Sequence, residues 1–197
     1  MGEPPHLRAA RRPRVGGEGD PDVICIDEQT DVPIDLARWR SLALAALLDE
    51  GVRGLTELSL LFIDADDMAE LNQVHMGGTG PTDVLAFPID ANELVVLVDS
   101  SGPSRAPGRA PVDPSDFPLL LGDVVVCPAV AAHQALDHAG TLDDEMALLV
   151  VHGVLHVLGY DHAEADETIV MRRREREILE RHHWHGPAPS TFRQEQA

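Results

Sequence analysis

Three histidines in the C-terminal third stand at a chelating spacing: His152, His156 and His162, in the run His152-Gly-Val-Leu-His156-Val-Leu-Gly159-Tyr-Asp-His162. On a helix, residues four apart differ by about 40° in direction and about 6 Å along the axis, so His152 and His156 make a chelating pair. On the same helix His162 would lie about 15 Å from His152 along the axis and about 80° around it, out of reach. Gly159 supplies the break, because glycine adopts the left-handed conformation that ends helices. The chain can then bring His162 back through Tyr160 and Asp161. Three neutral imidazoles and an open fourth position are the donor set of a catalytic zinc. Such an ion lowers the pKa of a bound water to about 7. A lone histidine on an apolar helix is ordinarily a hydrogen-bonded core residue. Two of them on a buried helix each need a polar partner where water is absent; with Gly159 and His162 added, the segment reads as a site for one zinc ion per chain.

The elements that must position this triad follow from periodicity and punctuation. Val23 to Asp27 (VICID) reads as a first strand, Ile34 to Leu48 as a helix closed by Gly51, and Glu57 to Ile63 as a second strand. Asp64 caps a helix to about His75, stopped by Gly77 and Gly78. Val84 to Phe87 is a short extended run, and Leu120 to Val126 a core strand. Pro128 opens a helix that Gly140 is expected to end. Thr141 to Asp144 resembles a capping box, and the following helix is apolar nearly all round from Met146 to Leu158, so it should be buried. A last amphipathic helix covers about Ala165 to His183. Strands and helices mix without strict βαβ alternation, which points to an α+β or three-layer α/β/α domain. The expected domain spans residues 21–186, with a Pro/Gly/Ser loop insertion at 99–118, a disordered extension at 1–20 and a flexible tail at 187–197.

Composition narrows the function classes. An apolar fraction of 44% suits a globular domain, and no apolar run approaches the roughly 20 residues that cross a bilayer. Two cysteines, Cys25 and Cys127, sit in β-branched runs and read as free thiols, which fits a cytoplasmic home. The net charge of −19, with arginine as the sole basic residue besides histidine, is not the usual footprint of a nucleic-acid binder. A local arginine patch could still meet phosphates. Arg172, Arg173, Arg174 and Arg176 are interleaved with Glu175, Glu177 and Glu180, which reads as a solvated helix face. His182, His183, Trp184 and His185 read as a solvated helix end rather than a second metal site.

The triad spacing also matches the metzincin proteases, which carry glutamate directly after the first histidine as general base. Here that position is Gly153, so peptide hydrolysis by that mechanism is disfavoured. Restoring a glutamate there is expected to leave the metal in place, since no ligand changes.

The motifs together resemble the YbeY endoribonucleases, the ribosomal-RNA maturation factors. The histidine run matches that family's signature. Leu71-Asn72, then Pro81-Thr82-Asp83-Val84-Leu85-Ala86-Phe87-Pro88, then Leu121-Gly122-Asp123-Val124 follow in the family's order. The resemblance implies a single mixed β-sheet flanked by helices, a zincin-like metal helix and zinc on His152, His156 and His162. It also implies cleavage of single-stranded ribosomal RNA in 16S 3′-end maturation, with the ribosome or ribosome-associated proteins as partners and no membrane. Thr82 and Asp83 would lie in the cleft wall, Asp83 being alternatively a turn or cap residue. Asp161 is either a base or group supporting the metal, or a plain turn residue. One departure concerns Met76, which stands where many family members have an arginine that supports RNA cleavage. Two other readings stay open: a non-catalytic zinc-containing ribosome-assembly factor, and a zinc hydrolase of another substrate class.

Overall fold

The computed structural model of the protein describes residues 19–89 and 117–194. Most of the expected N-terminal extension and of the loop insertion at 99–118 lies outside the described residues.

The sheet begins with β1 (Asp22–Asp27), followed by α1 (Leu36–Asp49) and β2 (Thr56–Phe62). Asp35 starts α1 by accepting a hydrogen bond from the amide of Arg38. Along β2 every second residue is buried, so Leu58, Leu60 and Phe62 face the main core, at 0% exposure, while Leu61 faces the other side. Next come α2 (Ala65–Met76), β3 (Val84–Pro88) and β4 (Leu119–Val126). The strand order is β1-β2-β4-β3, with β1, β2 and β4 parallel and β3 antiparallel to β4 at the edge. Leu121 of β4 is an extra residue between the pairs Glu57–Leu120 and Leu58–Gly122, a β-bulge. Gly122 follows it at φ 146°, where a Cβ would meet the carbonyl oxygen of Phe87 at 2.3 Å. The Leu121-Gly122 pair therefore lets the edge strand close against β4.

The remaining chain is helical: α3 (Pro128–Gln134), α4 (Leu142–Val157) and α5 (Ala165–His182). Helix α3 stops six residues before Gly140, where the sequence had suggested its end. The chain turns through 135–139, and the amide of Gly140 closes on the carbonyl of Ala135 at 2.7 Å. Thr141 caps α4 through the amide of Asp144, and three acidic residues occupy the first turn, where the helix dipole favours them.

Helices α1, α4 and α5 cover one face of the sheet with a continuous core that includes Trp39, Leu47, Val150, Leu155, Met171 and Ile178. On the opposite face α2 brings Met68 against Ile63, Leu85, Val125 and Cys127. The architecture is thus an α+β domain of three unequal layers around a single mixed sheet. Cys25 is half-buried and Cys127 buried, both as free thiols, and burial pushes the Cys25 thiol up to about 11.

The C-terminal end differs from the expected flexible tail. Phe192 is buried at 7% exposure with its ring 4.7 Å from that of Trp184, and Gln194 donates to Glu175 at 2.9 Å. An aromatic residue and a long amide each find a partner on α5 or its end, which a reading by composition misses. Nor is the histidine-rich end of α5 solvated as expected. Trp184 and His183 both bond Asp144, at 2.6 and 2.9 Å, and so tie the end of α5 to the start of α4.

Candidate metal centre

His152 and His156 lie one turn apart on α4, with their Nε2 atoms 3.0 Å apart. The helix ends in a Schellman motif: the amide of Gly159 donates to His156 and that of Tyr160 to Leu155, at 2.9 and 3.0 Å, with Gly159 at φ 87°. This left-handed turn sends the chain back over the helix end. His162 then stands with its ring centre 4.9 Å from that of His156 and 5.6 Å from that of His152. The hydroxyl of Thr168, in the first turn of α5, reaches the carbonyl of His162 at 3.1 Å. One ligating nitrogen from each of the three rings falls within 4.8 Å of the others. Among the described residues this is the one group of histidine, cysteine and acidic side chains arranged to hold an ion.

The outer nitrogens make the donor set fit a cation. Nδ1 of His156 lies 2.9 Å from the carbonyl oxygen of Tyr160, which can only accept, so that nitrogen carries the ring proton. Nδ1 of His152 lies 2.7 Å from the carboxylate of Glu175, buried at 3% exposure. With Nδ1 donating, Nε2 of each neutral ring offers a lone pair inward; this is the arrangement of metal-binding histidines. Burial and the like charges of His152 and His162 pull the pKa of His156 down to about 4, so this ring is a neutral donor near pH 7. Imidazole trios suit zinc among several transition metals.

A wider frame holds these partners. The Tyr160 hydroxyl donates to Glu50 at 2.7 Å, and Glu50 also accepts from Arg174 of α5. Arg174 further reaches Glu177 and the carbonyl of Asp49, at 2.8 and 3.0 Å. Glu175 holds His152 on one oxygen and Gln194 on the other. None of these long-range partners is marked in the sequence: Arg174, Glu175 and Glu177 stand in a charged run in which no single residue is distinguished.

A cleft of about 470 Å³ opens beside the triad, between the end of α4 and the edge strand β3. Val84, Leu85, Ala86 and Pro88 form one wall, and Met76, Gly153 and Asp161 complete it. Asp161 faces this cleft, with one carboxylate oxygen accepting from the amide of His162 at 2.7 Å. Asp83 lines a neighbouring groove on the other side of His152 and His162. Its carboxylate accepts from Thr82 at 3.0 Å, from the amide of Val84 at 2.8 Å and from Gln134, while Gln134 also donates to the buried Glu145. Thr82 points at Asp83 rather than towards the histidines. Asn72 pins the glycine loop after α2 by donating to the carbonyl of Gly80 at 2.8 Å. Met76, 57% exposed, ends α2 at the rim of the cleft.

Gly153 explains the approach of α4 to the sheet. A Cβ on it would lie 2.4 Å from Cγ1 of Val124, a fully buried residue of β4. A glutamate at this position, expected to leave the metal undisturbed because no ligand changes, would also have to displace Val124 or α4.

Residues 24–183 match the family model described as "Endoribonuclease YbeY". A protein named Endoribonuclease YbeY from Salinispora tropica is 46% identical over 142 residues, 72% of this chain and 84% of that protein. Proteins of the same name from Mycolicibacterium gilvum and Acidothermus cellulolyticus are 40% and 43% identical, covering 79% and 78% of this chain and 80% and 87% of theirs. The solution structure of TM1509 from Thermotoga maritima aligns with 83% of this chain and 91% of its own, at 20% identity and a TM-score of 0.49.

Proposed function

The chain belongs to the YbeY endoribonuclease family, and from that premise we propose that it is a zinc-dependent endoribonuclease cutting single-stranded RNA. We place it in the cytoplasm, in 16S ribosomal-RNA 3′-end maturation, working with the ribosome or ribosome-associated proteins. Among the described residues no helix is long and apolar enough to cross a membrane. The observation that carries the reading is the convergence of His152, His156 and His162 beside an open cleft, with the outer nitrogens of the first two already bonded.

One zinc ion per chain would be held by these three rings; bound there, it supplies Lewis-acid charge for a phosphate oxygen and makes a water more acidic. The protein does the positioning. Glu175 and the Tyr160 carbonyl fix two ring orientations, and the Gly159 turn with Thr168 fixes the third. Asp161 keeps one carboxylate oxygen on the His162 amide, which leaves the other to accept a proton from a water or from the substrate 2′-OH. RNA carries that hydroxyl beside each phosphate. Phosphodiester cleavage can therefore proceed without a carboxylate next to the first histidine, where this chain has Gly153 packed on Val124.

Met76 at the rim favours a second reading, a zinc-containing assembly factor that binds RNA without cutting it. The test is zinc-loaded protein on labelled single-stranded RNA, on its duplex and on casein, with His152→Ala as control. Cleavage of the single strand alone, lost in the variant, is expected. RNA bound but uncut supports the assembly factor. Casein cut with RNA untouched overturns the reading.

A further inference from the structure

Among the described residues the cleft beside the triad has no arginine in its lining, so among them the charge that receives the rest of an RNA strand lies elsewhere. On the other side of His152 and His162 runs a groove lined by Arg172 and Arg193. His138, Arg172, Arg193 and Gln194 also line an adjoining hollow, to which Arg176 is added. His152, His162 and Val84 border both cleft and groove, so the metal centre sits between them.

These three arginines differ from the other described ones. Arg38, Arg40, Arg173, Arg174 and Arg181 each pair with a carboxylate, and Arg53 donates to two backbone carbonyls. Arg172, Arg176 and Arg193 are the described arginines whose side chains make neither an ion pair nor a hydrogen bond; Arg176 only stacks 6.0 Å over the ring of Phe192. In a chain of net charge −19 with abundant carboxylates, three guanidinium groups with no bonded carboxylate keep their donors available to a phosphate. The groove's carboxylates face protein donors: Glu175 holds His152 and Gln194, Glu145 the amide of Ala139, and Asp83 the amide of Val84. Asp137 is the acidic residue at its outer end.

The groove is also built rather than incidental. Arg172 and Arg176 stand one turn apart on α5. Arg193 is brought alongside by the buried Phe192, by its own amide on the carbonyl of His138 at 3.2 Å, and by Gln194, which reaches both Arg172 O and Glu175. The carboxylate that orients His152 thus also anchors the segment bearing Arg193.

We propose that Arg172, Arg176 and Arg193 form a phosphate track that holds the RNA strand on one side of the scissile bond, in the place of a cation at Met76. This rests on the reading of the chain as an RNA-cutting member of its family. Because the track touches flanking phosphates, it tightens substrate binding without entering the chemical step, so its loss raises KM and leaves kcat unchanged.

The test compares the parent with the triple variant Arg172→Gln/Arg176→Gln/Arg193→Gln, with Arg176→Gln alone, and with Arg173→Gln/Arg181→Gln as a control elsewhere on α5. Single-stranded RNA binding is measured from low to moderate salt, alongside cleavage and zinc content. The triple variant should keep its zinc, bind at least tenfold more weakly, and show a log–log salt slope shallower by about 2, from three contacts at about 0.7 each. Arg176→Gln should lose about a third of that slope, and the control none. Unchanged affinity and slope in both groove variants, with the parent binding and cutting RNA, overturns the track and leaves the proposed activity standing. A parent that binds RNA through these arginines but does not cut it supports the track and sinks the activity instead.

Discussion

Replacing Gly153 by alanine sets two effects of opposite sign against each other. Alanine is favoured over glycine in a helix interior by about 0.8–1.0 kcal/mol. The new Cβ, however, would lie 2.4 Å from Cγ1 and 3.2 Å from Cγ2 of Val124. Val124 is fully buried, β-branched and stiff at χ1, and sits in β4 between Leu60 and Ala86 of the flanking strands, so it cannot swing aside. Overpacking of this kind costs about 1–3 kcal/mol. We expect a net loss of about 1 kcal/mol, which lowers Tm by about 2–4 °C in a chain of this size. Val124→Ala alone should cost about 2 kcal/mol through lost methyl burial and a cavity. Joined with Gly153→Ala it should cost less than the sum, by about 1–2 kcal/mol, because the alanine methyl enters the vacated space. Urea unfolding of the four metal-free proteins measures the cycle. A zinc titration of Gly153→Ala should show weakened binding, since α4 carries His152 next door. A Gly153→Ala protein stabilised by the full helix-propensity gain, and strictly additive with Val124→Ala, would refute the close packing of the metal helix on the sheet.

Glu175→Gln keeps an acceptor for His152 but removes its charge, and zinc affinity measured by chelator competition should fall about 10–100-fold; no change would mean that Glu175 does not support the ligand. Tyr160→Phe removes the bond to the buried Glu50 and should cost about 1–3 kcal/mol of stability. Zinc affinity should hold in that variant, because His156 bonds the backbone of Tyr160; equal losses in both quantities would contradict this division. Burial raises the pKa of Asp144, but hydrogen bonds from Trp184, Thr141 and His183 outweigh it and hold the carboxyl below its usual value. Its stabilisation is therefore present above the unfolded carboxylate pKa of about 3.9 and is lost as pH falls through the lower folded value. Asp144→Asn should lose stability at neutral pH and unfold less steeply in acid, read as Tm against pH.

What could be read in the sequence was local. Asp64, Thr141, Gly77 and Gly159 announce helix ends because a cap or a left-handed turn is decided within a few residues. The triad was legible for the same reason: a four-residue helical spacing, a glycine break and a third histidine are all short-range. Strand positions on β2 and β4 followed from apolar runs, although the bulge at Leu121 did not. The supports of the site are long-range. Glu175 meets His152 across 23 positions and Glu50 meets Tyr160 across 110, and nothing nearby in sequence marks either pair. The same holds for Phe192 and Gln194, which look like tail composition until α5 offers them a surface. Arg172 to Arg176 read as one cluster in sequence, yet the helix divides them: Arg174 turns to Glu50, while Arg172 and Arg176 turn to the groove.

The proposed chemistry depends most on an ion at the three histidines. Elemental analysis of protein purified without chelator should find about one zinc per chain, and His156→Ala purified in parallel should hold almost none, because two ligands bind zinc poorly. Parent protein without any transition metal, or His156→Ala that retains a full complement, would contradict a metal centre at the three histidines.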